Sequence, residues 1–175
     1  MILGAIAGDI LGSYYEHRPT KEYNFEFLQK DARPTDDTVM TLAVAEWLIE
    51  DEEHTHEALS QYMRKWGRKF PNAGYGGMFY RWLNDERATA YGSYGNGAAM
   101  RVSPVGLYAS SLEEAMRLAK ISAEVTHSHP EGIKGAQAVA SAIWLAKNGE
   151  NKDSIRGYIE KNFGYNLRRK IMTLN

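Results

Sequence analysis

The sequence predicts an all-α protein, and three observations carry that prediction. Apolar residues recur at helical spacing through most of the chain, helix start and stop signals bracket those stretches, and alternation with period two is confined to one short segment. Leu3, Ala7 and Leu11, with Ile2, Ile6 and Ile10, mark an opening helix. Met40, Ala43, Val44, Trp47 and Leu48 fall at i, i+3, i+4, i+7 and i+8, the single buried stripe of a second helix. Leu59, Tyr62, Met63, Trp66 and Phe70 repeat that spacing in a third. Ser111 followed by Glu114 forms a capping box ahead of Leu112, Ala115, Met116 and Ala119. Pro130 suits a first helical position, and the Ala-rich stretch from Ile133 to Lys147 stops at Asn148-Gly149. A shorter helix follows Asp153 and stops near Gly164. Tyr23, Phe25 and Phe27 alternate, and read as a short strand or an extended loop with its aromatics packed inward.

A chain of 175 residues can bury one good core, and with no repeat and no Pro/Ser-rich linker a single domain spanning 1–175 is expected. Lys and Arg number 21 against 22 Asp and Glu, so no global field gathers nucleic acid or an anionic membrane, and neither is expected as a partner. The absence of cysteine excludes a disulfide scaffold, a thiolate zinc site and a cysteine nucleophile; any metal must take oxygen or imidazole ligands. The apolar N-terminus lacks a basic leader region and is interrupted by Asp9, so it reads as mature sequence. No apolar run reaches the roughly 18 to 20 residues that span a bilayer, and a cytoplasmic location is the default expectation.

Chemistry concentrates in a few places. Thr35-Asp36-Asp37-Thr38 opens the second helix, where Thr or Asp caps and first-turn acids suit the helix dipole. The same residues are hard oxygen donors suited to Mg²⁺ or Mn²⁺, and because consecutive helical residues diverge by roughly 100°, the two carboxylates could face different ions of a close pair. Asp9 and Glu16 lie about two turns apart, as a solvated face or, for Glu16, as a ligand, base or gate near the Asp pair. Histidines two apart on a helix point in different directions; His54 and His56, among Asp51, Glu52 and Glu53, read as a solvated loop. His127 and His129 sit at a helix junction, where imidazoles can orient a substrate or donate to phosphate. Two loops, Gly74-Tyr75-Gly76-Gly77 and Tyr91 to Gly97, concentrate glycine and tyrosine, suiting turns or close approach to a ligand. Asn96 can bind a hydroxyl, and Arg101 can pair with phosphate or with an interior carboxylate. Walker-type, G-x-S-x-G and H-E-x-x-H patterns are absent.

Five segments in order, GAIAGDILGSYYE at 4–16, TDDTVMTLAVAEWL at 35–48, GYGGMFYRWL at 74–83, GNGAAMRVSPVG at 95–106 and THSHPEGIKGA at 126–136, resemble the ADP-ribosylglycohydrolase family. That resemblance implies an orthogonally packed helical bundle holding two Mg²⁺ ions that bind ADP-ribose and position water for cleavage of its glycosidic bond to a modified side chain. It implies metal ligation by Thr35, Asp36 and Asp37, catalysis by Glu16, Asp36 and Asp37, and substrate binding by Gly76, Gly95, Asn96, Gly97, His127 and His129. It further implies ADP-ribose or an ADP-ribosylated protein as partner. Family members continue into a C-terminal portion with a G-D-x-D-T motif that completes the metal pair; this sequence has no Asp-x-Asp. A C-terminally shortened member is therefore expected, holding at most one ion firmly, weak in hydrolysis, and associating with itself or with a complementing chain. The competing expectation is a non-catalytic ADP-ribose-binding or structural protein on the same scaffold. A His/Asp metal phosphohydrolase is disfavoured because no His-Asp dipeptide occurs.

Overall fold

The computed structural model of the protein describes residues 2–22 and 24–168, and among these it is all-helical. In chain order the helices are α1 (Ile2–Glu16), α2 (Asp36–Glu50), α3 (His56–Lys69), α4 (Gly77–Asn84), α5 (Gly97–Met100), α6 (Ser103–Tyr108), α7 (Leu112–Glu124), α8 (Pro130–Lys147) and α9 (Lys152–Phe163). The predicted stripe of α2 is the centre of the molecule: Met40, Ala43, Val44 and Trp47 are wholly buried, packed among α3, α5 and α6. On the far side α8 packs against α5, α6, α7 and α9. Close approach of α6 to α8 depends on Gly106, where a Cβ would lie 2.6 Å from the Ala140 carbonyl oxygen and 2.7 Å from Ile143 Cβ.

Local chemistry sets the helix ends. Ser111 accepts from the Glu114 amide at 3.1 Å, while the Glu114 carboxylate reaches back to the Ser110 amide at 2.7 Å, one residue before the usual capping-box partner. His129 caps α8 by accepting from the Glu131 amide, with Pro130 at its first position. Asn151, and not Asp153, caps α9, which ends on Gly164 in the left-handed region at φ +71.

Two sequence expectations are corrected. Phe25 and Phe27 lie in an irregular segment and remain exposed, Phe25 resting on Tyr15 at 5.0 Å between centroids; Tyr23 lies outside the described residues. His54 is not in a solvated loop. At φ +51 the backbone turns its ring inward, 7 % exposed, edge-on to Trp47 and Tyr108, with Nε2 at 3.2 Å from the Leu48 carbonyl. His56 instead faces outward and meets Glu124 at 2.9 Å.

Candidate active site

The N-terminus of α2 organises the site, and its backbone donors can be accounted for completely. An α-helix starts with amides that have no intrahelical acceptor. Here the Asp36 amide donates to the Ala73 carbonyl at 2.8 Å, the Asp37 amide to Thr35 Oγ1 at 3.3 Å, and the Thr38 amide to Asp9 Oδ2 at 3.2 Å. The Asp9 carboxylate also accepts from the Thr35 amide at 2.8 Å and from both threonine hydroxyls. Asp9 is thus no solvated residue but the clamp between α1 and α2, which matters because α1 has no fully buried side chain. A hydroxyl has one proton and two lone pairs. Thr35 Oγ1 donates to Asp9 and accepts from Asp37, which leaves one lone pair for any ligand.

With the amides satisfied internally, the side chains of Asp36 and Asp37 are left to do something else. Burial pushes the Asp36 carboxyl up to about 7, reinforced by the neighbouring charges of Asp37, Glu16 and Asp9. Asp37 is raised by burial, then by the charges of Asp9 and Glu16. Among the described residues none of these four acids takes part in a salt bridge. With Asp9 committed to the end of α2, the carboxylates of Glu16, Asp36 and Asp37, none in a salt bridge among the described residues, remain as the donor chemistry of a hard divalent ion. The fit is that of an open half-site, since no three His, Asp or Glu side chains among the described residues form a group that could hold a metal ion.

Asp36 marks one wall of a cleft of about 480 Å³, also lined by Gly76, Gly95, Asn96, Gly97, Arg101 and His127. Glu16 and Thr35 line an adjoining polar depression bordered by Ala73 and Gly74. His129 lies outside both, exposed at the start of α8 with its ring 5.3 Å from that of Tyr94. The sequence-derived set therefore divides: Asp36, Gly76, Gly95, Asn96, Gly97 and His127 share the cleft, while Glu16 and Thr35 face the neighbouring depression. The glycine loop is close-packed on the histidine: a Cβ on Gly97 would sit 2.9 Å from His127 Cε1 and Nε2, and one on Gly132 would meet the Ser93 carbonyl at 2.8 Å. Burial, aided by Arg101, holds His127 down at about 4, so its ring is neutral at physiological pH.

Three residues take roles that were not separable in the sequence. Arg101 meets no interior carboxylate among the described residues: 1 % exposed, it donates to the Ser122 carbonyl and to Thr126 Oγ1, and among those residues its Nε has no partner. Burial pushes its guanidinium down to about 10. Tyr75, in the first glycine loop, buries a hydroxyl with no partner among the described residues and is pushed up to about 12 by burial and then by Asp36. Asp9 carried a signal, an acid inside an apolar helix, but its partners lie 26 and 29 residues away. A second, more apolar groove of about 660 Å³ runs between α8 and α9 over Ala138, Val139, Ala142, Ile155 and Ile159, and shares Gly95 and Asn96 with the cleft. Among the described residues no helix is long and apolar enough to cross a membrane.

Comparison with known proteins places these features in context. A family model described as ADP-ribosylglycohydrolase matches residues 1–170. The human protein named ADP-ribosylhydrolase ARH3 is 30% identical over 180 residues, covering 86% of this chain and 50% of that protein. Its Bos taurus counterpart is 31% identical, over 94% of this chain and 53% of its own length. An uncharacterized protein of Archaeoglobus fulgidus is 36% identical over 62% of this chain and 38% of its own. The chain spans about half the length of the curated ARH3 relatives it matches.

Proposed function

The chain belongs to the ADP-ribosylglycohydrolase family, and from that premise we propose that its cleft binds ADP-ribose and that the α2 acids serve hydrolysis of the bond between ADP-ribose and a modified side chain. The observation that carries this reading is the polarity of the cleft. One wall presents Asp36; the other residues include a glycine loop, the neutral ring of His127 and the buried cation Arg101, which has no carboxylate partner among the described residues. A diphosphate suits the glycine loop and the cation, and a ribose with its hydroxyls suits the acids. The volume of about 480 Å³ falls within the range of small-molecule sites.

In this reading Asp36 and Asp37, with the remaining lone pair of Thr35, hold Mg²⁺ or Mn²⁺. Such an ion, when bound, supplies Lewis-acid polarisation of water and of the ribose hydroxyls. Cleavage breaks the bond from the anomeric carbon to the side-chain atom and adds water, through a transition state with positive charge on the sugar ring. Asp36 and Asp37 serve that step by holding the ion and so orienting the ribose hydroxyls. Glu16, on the neighbouring depression, takes one proton of the attacking water and gives a proton to the departing side-chain atom, and Gly76, Gly95, Asn96 and Gly97 let backbone approach the substrate closely. His129, its ring tilted against that of Tyr94, lies outside the cleft lining and would meet only a part of the substrate that extends beyond it.

The open half-site favours a second reading, in which the chain binds ADP-ribose without turning over, or needs a complementing chain to supply further acids. Incubating the protein with ADP-ribosylated serine and arginine peptides, in Mg²⁺ and in chelator, separates the two. Mg²⁺-dependent release of ADP-ribose, lost in Asp36→Asn, supports hydrolysis. Tight binding without release supports the second reading, and neither binding nor release overturns both.

A further inference from the structure

Buried hydrogen bonds behind the cleft form a chain that the reaction itself does not require. Arg101 donates from its guanidinium to Thr126 Oγ1 at 2.9 Å, and Thr126 Oγ1 stands 2.8 Å from His127 Nδ1. Arg101 and Thr126 are 1 % and 0 % exposed, and His127 is 5 % exposed. Arginine can only donate, so one lone pair of Thr126 is committed to accepting. The contact with His127 then has two possible directions: Thr126 gives its proton to Nδ1, or Nδ1–H gives its proton to Thr126.

The buried charge decides between them. A neutral imidazole has one N–H, and its dipole is most stable with that positive end turned away from a cation. Nδ1 is the nitrogen on the Arg101 side of the chain; Nε2 faces the Gly95–Gly97 turn and makes no hydrogen bond among the described residues. A hydroxyl that accepts from a guanidinium is also polarised into a better donor. Tyr91, whose ring lies 6.0 Å from that of His127, is the other group near Thr126; its hydroxyl would receive the Thr126 proton in the opposite arrangement.

We propose that Arg101 and Thr126 are positioning residues that fix His127 as its Nε2–H tautomer, so that the cleft presents a fixed neutral donor beside the Gly95–Gly97 turn to an anionic, phosphate-bearing ligand. The tautomer is a property of the free protein; its use in binding rests on the ADP-ribose reading above. The depressed basicity of His127 is consistent, since a cation close behind it opposes a second ring proton. Arg101 in this arrangement needs no carboxylate because its charge acts on the ring dipole and on the ligand.

Long-range ¹⁵N–¹H correlation of the histidine rings in the ligand-free protein reads the tautomer directly. The expected pattern is that of Nε2–H with Nδ1 as acceptor. Thr126→Val, which keeps shape and removes the hydroxyl, should convert it to a mixed population, while Thr126→Ser should keep it. ADP-ribose affinity should fall about tenfold in Thr126→Val, the equivalent of one misaligned charge-assisted bond, and recover in Thr126→Ser. If Thr126→Val does not fold, the wild-type spectrum alone decides: an Nδ1–H pattern overturns the proposal. An unchanged tautomer in folded Thr126→Val also overturns it. Absence of ADP-ribose binding by the wild type would sink the cleft assignment, while the ring spectrum judges the hydrogen-bond chain independently.

Discussion

Replacing Asp9 by Ala should release α1 and destabilise the protein by about 2 to 4 kcal/mol. The Asp9 carboxylate accepts four hydrogen bonds, from the amides of Thr35 and Thr38 at 2.8 and 3.2 Å and from both hydroxyls. Bonds to a charged acceptor are worth about 1.5 to 3 kcal/mol each, and a lost helix cap about 1 kcal/mol, but such values do not add within one cluster. Two effects reduce the sum. Asp9 is only half-buried, so water reaches the orphaned groups, and its removal relieves repulsion on Asp37. Apolar packing holds α1 only weakly, its side chains being at most half-buried, and Ser13 Oγ adds one further bond by accepting from the Arg33 amide at 3.0 Å. Urea unfolding measures the loss, and amide exchange localises it: the Thr35 and Thr38 amides, protected through Asp9, should exchange faster, while the Val39 amide, bonded to the Thr35 carbonyl, should change less. Asp9→Asn, with one accepting oxygen, should lie between. A loss below about 0.5 kcal/mol with unchanged exchange at Thr35 and Thr38 would refute the clamp, because that is the ordinary scatter of surface substitutions.

The pH dependence of stability should carry the signature of His127. Its folded value near 4 lies below the usual 6.5, so the unfolded chain binds the extra proton first. Stability from this residue is full above about 6.5 and is lost as pH falls toward 4, about 3 kcal/mol in all, and the difference between wild type and His127→Gln in urea melts from pH 7 to 4.5 should show that slope. Gly106→Ala should cost about 3 kcal/mol, read by thermal or urea unfolding, because its Cβ would meet backbone of α8 at 2.6 Å and nothing flexible can yield. Gly97→Ala should hit binding harder than stability: its Cβ meets the His127 ring at 2.9 Å, so calorimetry with ADP-ribose should show weakened affinity while Gly95→Ala, 3.9 Å from Nε2, is milder.

How much of this was legible follows from the range of each interaction. The stripes of α2, α3 and α7 and the stop of α8 were readable because periodicity and capping are local. The short α4, α5 and α6 were not, since eight residues or fewer give too little periodicity to separate from loop. Thr35, Asp36 and Asp37 were visible as a cap and as oxygen donors, and the structure shows why the amides and side chains there point to different tasks. The clamp by Asp9 and the Arg101–Thr126–His127 chain were out of reach because their partners lie far along the sequence or derive their effect from burial. The acids around His54 suggested solvent, but a single left-handed residue overrode composition by turning the ring under Tyr108.

The ADP-ribose cleft is tested most directly by titrating the ¹⁵N-labelled protein with ADP-ribose in Mg²⁺ and following backbone amides and histidine rings. Saturable shifts at Gly76, Gly95, Gly97 and the His127 ring, extending to Asp36 and Asp37 only when Mg²⁺ is present, are the predicted result. Shifts confined to the groove between α8 and α9, around Ala142 and Ile155, or no saturable shift at all, would contradict it.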